Sequence, residues 1–268
     1  MIKHLIGFVG TSQAGKSTLS NMTHGLILSK LHDEEGNKAI SNWRLNEFGR
    51  LEIETDTYDP ETQEFSPQFN ELDVDNRSAD FQMWARGEIW GWVKSMSIAF
   101  ELKKACKGIF GLNYSQIYGN GKKTETEYTW KQFCNILQPE DVQDIKDKGL
   151  FDVKMSGRDI MEILGSKIIR KIDEDIYIKR LIHQLKSETS HLILVTDVRR
   201  FNEARFLQEN GAILIRLTRG NPKNISEVDI DDIKPNFVIN NVNMTQEESC
   251  QEMNKIIEEL GVFDKQDD

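Results

Sequence analysis

The stretch "HLIGFVGTSQAGKST" (residues 4–18) decides the fold, because it joins an apolar run to a glycine-rich loop and then to a helical pattern. The continuous apolar run His4 to Val9 is typical of a buried strand in a parallel sheet. The loop that follows matches the pattern G-x-x-x-x-G-K-[ST] in full, with Gly10, Gly15, Lys16 and Ser17. A strand before this pattern and a helix after it are the context that supports a phosphate-binding loop.

The loop has the chemistry that a polyphosphate needs. Glycines let the backbone wrap an anion and point its N–H groups inward, and a helix N-terminus adds its dipole. We expect Lys16 to stand exposed in the loop and reach the β- and γ-phosphates, and the Ser17 hydroxyl to ligate Mg²⁺. The alternative is a glycine-rich turn with an exposed lysine.

A second cluster follows the apolar run "LILVTD", which places Asp197 at the end of a predicted strand. Ligands bind at the carboxyl ends of strands in open α/β sheets, so Asp197 is a candidate for the metal or substrate site. The alternative is a loop aspartate or a helix cap. Arg199, Arg200 and Arg205 come next, and guanidinium groups neutralise a phosphoryl group in transfer. Arg199 is the strongest candidate, because Arg200 and Arg205 also fit a solvated helix face.

The remaining apolar runs predict more strands of the same kind. They are Leu192 to Thr196, Ala212 to Thr218 and Phe237 to Asn240, with Ser97 to Phe100 as a weaker fifth candidate. Helical patterns separate them: Lys16 to Leu31, Glu101 to Phe110, 156–172, 175–186, 202–211 and 245–260. Alternating strands and helices predict an α/β fold with a mostly parallel sheet and helices on both faces.

Several helix ends carry their own signals. Capping-box patterns begin two helices, with Ser156 and Asp159 in one and Thr245 and Glu248 in the other. Asn202 is the predicted N-cap of a further helix, which Gly211 ends in the C′ position.

Residues 33–80 differ from the rest of the chain. They are acidic and polar, with scattered apolar residues, and Pro60 and Pro67 break any helix. We interpret this segment as a surface insertion with a small hairpin over Arg44 to Glu54, within a single domain of residues 1–268. The aromatic segment Phe81 to Met96 favours a packed helix over a base-stacking surface. The acidic residues 264–268 form a frayed tail.

Composition excludes several classes of protein. The 268 residues carry a net charge of -10, which argues against nucleic acid as a partner. Three cysteines (Cys106, Cys134 and Cys250) lack metal-site spacing and fit reduced thiols. No apolar run approaches the roughly 20 residues that span a membrane, and no signal peptide is recognisable. We therefore expect a cytoplasmic protein with no membrane partner.

The chain resembles the phage deoxynucleoside monophosphate kinases. The resemblance rests on separated segments in the family's order: "GTSQAGKST", "AFELKKACKGIFGL", "YGNGKKTETEYTW", "SGRDIMEILGSKIIRKIDEDIYIKRLI", "TDVRRFNEARFLQENGAILIRLTR" and "FVINNVNMT". It covers roughly residues 1–32 and 95–260. It implies the three-layer fold of P-loop kinases and transfer of the γ-phosphate of ATP to deoxynucleoside monophosphates, with Mg²⁺ required. Some members are homodimers, and the compartment would be the cytoplasm of an infected host cell.

The resemblance also implies site residues. The ATP phosphates would lie against Gly10, Thr11, Ser12, Gln13, Ala14, Gly15, Lys16, Ser17 and Thr18. Lys122 or Lys123 would approach the monophosphate substrate, although their segment also fits a solvated charged loop. Arg158, Gly165 and Tyr177 would line the substrate pocket, the last at a position where the family often has Trp. The transfer site would contain Asp197, Arg199, Asn202 and Glu203. Lys16, Asp197 and Arg199 would be catalytic, and Ser17 and Asp197 would hold the metal.

Two other functions fit the same residues. One is a P-loop kinase for a different small acceptor, such as dephospho-coenzyme A or a nucleoside. The other is a nucleotide-binding switch or scaffold that binds ATP without chemistry. A passive binder does not need Arg158 and Arg199 at a second anion pocket, so these arginines favour an enzyme.

Overall fold

The structure, a computed structural model, describes residues 4–31, 36, 38–60, 63–118, 124–220 and 230–264. The strands within these residues are β1 (His4–Val9), β2 (Trp43–Leu45), β3 (Leu51–Asp59), β4 (Glu64–Glu71), β5 (Val93–Met96), β6 (Glu125–Thr129), β7 (Lys154–Ser156), β8 (Leu192–Val198), β9 (Ile213–Leu217) and β10 (Phe237–Ile239).

The helices of the same residues include one irregular stretch. They are α1 (Lys16–Lys30), α2 (Ala79–Glu88), α3 (Phe100–Phe110), α4 (Tyr114–Tyr118), α5 (Trp130–Phe133), α6 (Pro139–Asp147), α7 (Gly157–Glu162), α8 (Arg170–Ile172), α9 (Ile176–Leu185), α10 (Phe201–Glu209) and α11 (Gln246–Glu259). A π-helical segment, Ile163–Ile169, joins α7 to α8. None of the helices in the described ranges is long and apolar enough to cross a membrane.

The chain forms two compact units. Unit 1 comprises Met1–Ser97 and Leu181–Asp268, and unit 2 comprises Ile98–Arg180. The boundary after residue 180 falls within α9. The sequence interpretation of one domain stays a prediction, because two compact units can belong to one domain.

Unit 1 is a mixed α/β structure around a five-stranded parallel sheet. The strand order is β10-β9-β1-β8-β5, and every neighbouring pair is parallel. Four of these strands were predicted from continuous apolar runs, and they are confirmed with ends that shift by no more than two residues. Their carboxyl ends meet at one edge of the sheet, where ligands bind in α/β proteins.

Helices flank this sheet on both faces. Ile6 and Phe8 of β1 are fully buried in one core cluster with Leu19 of α1. Gly7 points to the other face, where a Cβ atom would lie 3.5 Å from Leu207 of α10. This arrangement is compatible with a three-layer α/β fold.

The segment predicted as a surface insertion forms a second sheet with buried residues. The predicted hairpin is confirmed, since β2 pairs antiparallel with β3 and Arg44 lies opposite Glu52. A third strand, β4, extends the sheet and contains Pro67. Five apolar residues of the segment are buried in the same cluster as β1: Ile40, Leu51, Ile53, Leu72 and Val74. The segment therefore contributes to the core as well as to the surface.

Two predictions near residue 90 are wrong. The weak strand candidate Ser97 to Phe100 is not a strand, and the fifth strand is β5, directly before it. The aromatic segment is helical only in α2, and its second half turns into β5. Lys94 interrupts the apolar run of β5. Its charge is accommodated in the strand because its Nζ forms an ion pair with Glu188 at 2.7 Å and lies 4.3 Å from the centre of the Trp90 ring.

Most predicted helix ends are confirmed. The capping boxes at Ser156 and Thr245 are both present, and Gly211 has a positive φ of 83° after α10. The prediction of Asn202 as an N-cap is wrong. The cap position is Arg200, and Asn202 lies inside the first turn of α10.

Candidate phosphate-binding site

The loop from Gly10 to Gly15 turns back on itself between β1 and α1. Gln13 and Gly15 have positive φ values of 63° and 94°. The amide of Ala14 donates to the carbonyl of Thr11 at 3.3 Å. A Cβ atom at position 10 would lie 2.9 Å from the Cβ of Ala14 and 3.2 Å from the carbonyl oxygen of Leu217. Only glycine fits there, which explains the first glycine of the motif.

Lys16 fills the centre of this loop. Its Nζ donates to the carbonyl of Gly10 at 2.5 Å and to that of Thr11 at 2.7 Å. The residue is 7% exposed, so the prediction of an exposed lysine is wrong. The ammonium group therefore lies inside the loop, where hydrogen bonds to the two backbone carbonyls take the place of hydrogen bonds to water. The neighbouring Ser17 is exposed on the first turn of α1.

Two residues from distant parts of the chain hold the loop in place. The amide of Asn241 donates from Nδ2 to the carbonyl of Ala14 at 2.8 Å, and its Oδ1 accepts from the backbone N–H of Arg219 at 2.9 Å. Asn241 is 4% exposed. The Arg219 guanidinium lies beside Gly15, with Nη2 3.1 Å from where a Cβ atom would stand. Sequence reasoning missed both residues.

A signal for these two residues was present in the sequence. Arg219 follows the end of β9 by two residues, and Asn241 follows the end of β10 by two residues. The rule that selected Asp197, a polar residue at the carboxyl end of a predicted strand, selects these two as well.

Asp197 lies at the edge of the sheet that carries the loop. β8 is the parallel neighbour of β1, and Val198 pairs with Val9, the residue before the loop. The Oδ2 atom of Asp197 accepts a hydrogen bond from the hydroxyl of Ser97 at 2.6 Å. Ser97 therefore helps to orient the carboxylate, and sequence reasoning did not assign it this role.

The turn after Asp197 is organised by Glu203. Its Oε2 accepts from the backbone N–H of Arg199 at 3.0 Å and from that of Arg200 at 3.1 Å. Glu203 is 2% exposed, and these bonds fix the backbone that carries the Arg199 side chain. This geometry gives Glu203 a positioning role. Asn202 lies in the first turn of α10.

The residues expected to contact the monophosphate lie in unit 2. Arg158 is exposed in the first turn of α7. Gly165 is buried, and a Cβ atom there would lie 2.7 Å from Leu102 Cδ2, so a larger residue would displace Leu102. Lys122 and Lys123 lie outside the described residues.

Tyr177 is buried in unit 2 and already has a partner for its ring. The guanidinium of Arg170 lies 5.0 Å from the centre of the ring. The residue is 6% exposed, and its hydroxyl has no hydrogen-bond partner among the described residues. Burial raises the pKa of Tyr177 to about 12, so the hydroxyl stays protonated. Its predicted contact with a substrate base stays a prediction.

A cavity opens in unit 1 beside the phosphate-binding loop. It has a volume of about 210 Å³, and its lining includes Gly15, Thr18, Arg219 and Asn241. The residues that hold the loop are therefore also the walls of a space next to it. The described part of the chain contains no cluster of three or more His, Cys, Asp or Glu side chains suited to a metal ion.

Searches of protein-family models and of curated proteins find no match for this chain.

Proposed function

We propose that the chain is a P-loop kinase that transfers the γ-phosphoryl group of ATP to a deoxynucleoside monophosphate. One observation carries the proposal: the Gly10–Gly15 loop closes around the ammonium of Lys16, at the sheet edge that also carries Asp197. The P-loop kinase version of the α/β fold is part of the same proposal. The acceptor rests on the family resemblance and on Arg158 and Tyr177.

The loop and Lys16 supply charge stabilisation. Backbone N–H groups of the loop and the start of α1 bind the oxygens of the terminal phosphates. Lys16 exchanges its bonds to two carbonyls for bonds to phosphate oxygens. Because charge spreads over the transferred group in the transition state, a fixed ammonium stabilises that state more than the ground state.

The residues at the sheet edge fit a magnesium ion. Mg²⁺ prefers oxygen donors, and the Ser17 hydroxyl and the Asp197 carboxylate are oxygen donors on neighbouring elements of this edge. When bound, Mg²⁺ would neutralise charge between the β- and γ-phosphates. The hydrogen bond from Ser97 holds the carboxylate in position for this role.

Arg199 is the residue proposed to bind the phosphoryl group in transfer. Its backbone is fixed by Glu203 at the end of β8, next to Asp197. A guanidinium group gives two parallel hydrogen bonds to a phosphate, which suits a planar group passing between two oxygens.

The test is a coupled ADP-release assay with Mg²⁺ and ATP over the common ribo- and deoxynucleoside monophosphates. We expect ADP release with one or more deoxynucleoside monophosphates and much less without an acceptor. Release only with dephospho-coenzyme A or a nucleoside would support a different kinase. Tight ATP binding without release for any acceptor would support a nucleotide-binding scaffold and end the kinase proposal.

The metal role of Asp197 has its own test in the same assay. Asp197→Asn keeps the size of the side chain and removes its charge, so we expect a higher Mg²⁺ requirement and a lower turnover. Ser97→Ala removes one hydrogen bond from the carboxylate and keeps its charge, so we expect a smaller effect in the same direction. Normal Mg²⁺ titration and turnover in Asp197→Asn would make Asp197 a structural residue.

A further inference from the structure

Hydrogen bonds within the turn between β2 and β3 hold its backbone. The Oδ1 atom of Asn46 accepts from the backbone N–H of Phe48 at 3.0 Å and from that of Arg50 at 3.1 Å. The backbone N–H of Gly49 donates to the carbonyl of Asn46 at 2.9 Å, and Gly49 has a positive φ of 72°. The backbone of the turn is therefore held by hydrogen bonds of its own residues, as a preformed binding surface requires.

Contacts to two helices fix the turn beside the phosphate-binding loop. The Nδ2 of Asn21, on α1, donates to the carbonyl of Gly49 at 2.9 Å. The Nε2 of Gln246, on α11, donates to the carbonyl of Asn46 at 3.2 Å. Gly49 also touches Thr18, since a Cβ atom on Gly49 would lie 2.5 Å from its Oγ1. The turn thus lies against Thr18, the residue that follows Ser17 at the end of the glycine-loop motif.

Phe48 stands at the tip of this turn with its ring largely in solvent. It is 76% exposed, and it lines the same cavity as Gly15, Arg219 and Asn241. The hydrogen bonds of the turn hold the backbone of this exposed phenylalanine in place. Glu47, Thr245 and Gln246 also line this cavity and add polar groups to its wall. An aromatic face with polar groups around it, beside a phosphate-binding loop, fits a nucleobase.

We propose that Phe48 is a binding residue for the base of the donor nucleotide, so that the antiparallel sheet of β2, β3 and β4 completes the binding site for that nucleotide. The inference rests on the proposed function, because it assumes that the loop binds the phosphates of a nucleoside triphosphate. Stacking accepts every base, since each has a π-face. Phe48 therefore sets the affinity for the donor and does not select its base.

The experiment measures equilibrium binding of ATP, GTP and inorganic tripolyphosphate by calorimetry. Tripolyphosphate carries the phosphates without a base. We expect Phe48→Ala to weaken both nucleotides about tenfold and to leave tripolyphosphate unchanged, because a stacked base contributes on this scale. Phe48→Trp should bind both nucleotides at least as tightly as the wild type. The matched control is Phe65→Ala on β4, which removes a phenyl ring 70% exposed on the same sheet and outside the cavity lining.

The two proposals fail in different ways. If wild-type protein binds ATP and tripolyphosphate but Phe48→Ala binds ATP within twofold of wild type, the role of Phe48 is overturned and the kinase proposal stands. An equal loss for ATP and tripolyphosphate in Phe48→Ala also overturns it, because the effect would then come from the loop. If wild-type protein binds neither ligand, both proposals fall.

Discussion

The two sheets of unit 1 are built on different rules and contribute differently to the site. The parallel sheet has covered faces, and its strands β1 and β8 are almost wholly buried. The antiparallel sheet buries Leu51 and Ile53 at the start of β3 and leaves most of β4 exposed. The parallel sheet carries the Gly10–Gly15 loop, the proposed phosphate site, at the end of the buried strand β1. The second carries a turn that is fixed to α1 by polar contacts. The candidate site therefore combines a loop at the end of a buried strand with a turn on the surface of the antiparallel sheet.

α1 connects the two sheets. It begins at the phosphate-binding loop and contacts β5 and β8 of the parallel sheet and β2 and β3 of the antiparallel sheet. Gly25 is required at its contact with the second sheet, because the Trp43 ring lies where a Cβ atom would stand. Changes in the second sheet should therefore reach the phosphate site through α1.

The largest expected effect tests whether the second sheet is part of the core. Leu51 is fully buried on β3, so Leu51→Ala should lower the free energy of unfolding by about 3 kcal/mol through lost burial and a cavity. Phe65→Ala on the neighbouring strand should change it by less than about 0.5 kcal/mol, since that ring is exposed. Urea denaturation of both variants measures the difference. Equal and small effects would support the interpretation of residues 33–80 as a surface insertion. The protein should then remain folded after a deletion of residues 36–78.

The next effect concerns His24, which is buried on α1. Its Nδ1 donates to the carbonyl of Ser20 at 2.9 Å. Burial lowers the pKa of His24 from 6.5 to about 4, a direction that nearby Arg77 reinforces and Asp75 opposes. Between these values the unfolded chain binds a proton that the folded chain does not, so stability is present above pH 6.5 and is lost as the pH falls towards 4.

The measurement compares unfolding of wild type and His24→Gln at pH 7 and pH 5. Wild type should lose about 2 kcal/mol more than the variant over this range. The exposed His183 on α9 gives the control variant His183→Gln, which should retain the wild-type pH dependence. Identical pH dependence in wild type and His24→Gln would show that His24 is accessible to protons in the folded state.

A smaller effect tests the transfer chemistry at the end of β8. Arg199→Lys keeps the charge but loses the paired hydrogen bonds, so kcat should fall about tenfold with a smaller change in ATP affinity. Arg205→Lys is the control, because Arg205 lies on α10 with its side chain paired to Glu209. Steady-state kinetics with a saturating acceptor separates the outcomes. An unchanged kcat in Arg199→Lys would limit this residue to a structural or steering role and direct attention to Arg158.

The sequence predicts the parallel sheet better than the antiparallel one for a physical reason. Strands covered on both faces need continuous apolar runs, and these runs identified β1, β8, β9 and β10. β5 was missed because Lys94 interrupts its apolar run, and the ion pair that stabilises Lys94 is with Glu188, which is 94 residues away along the chain. β4 was missed because six of its eight residues are exposed, so it lacks a regular apolar alternation.

The candidate site also has features that could be predicted from local sequence and features that could not. The turn from Gly10 to Gly15 could be predicted because its signals lie close together in sequence, and the local backbone needs a glycine at both positions. The hydrogen bonds of Asn241 to the loop could not be predicted, because they depend on the strand order that brings β9 and β10 beside β1. The burial of Lys16 was also missed, since motif and spacing do not show that its ammonium turns back to the carbonyls of Gly10 and Thr11.

The most direct test of the kinase proposal follows the γ-phosphate itself. ATP labelled at that position is incubated with Mg²⁺ and the deoxynucleoside monophosphates, using wild type, Lys16→Ala and the control Lys30→Ala at the opposite end of α1. We predict a labelled deoxynucleoside diphosphate from wild type and Lys30→Ala, and a rate lower by more than about 100-fold from Lys16→Ala with unchanged circular dichroism. Transfer by a folded Lys16→Ala within a few-fold of wild type, or no labelled diphosphate from wild type with any acceptor, would contradict the proposal.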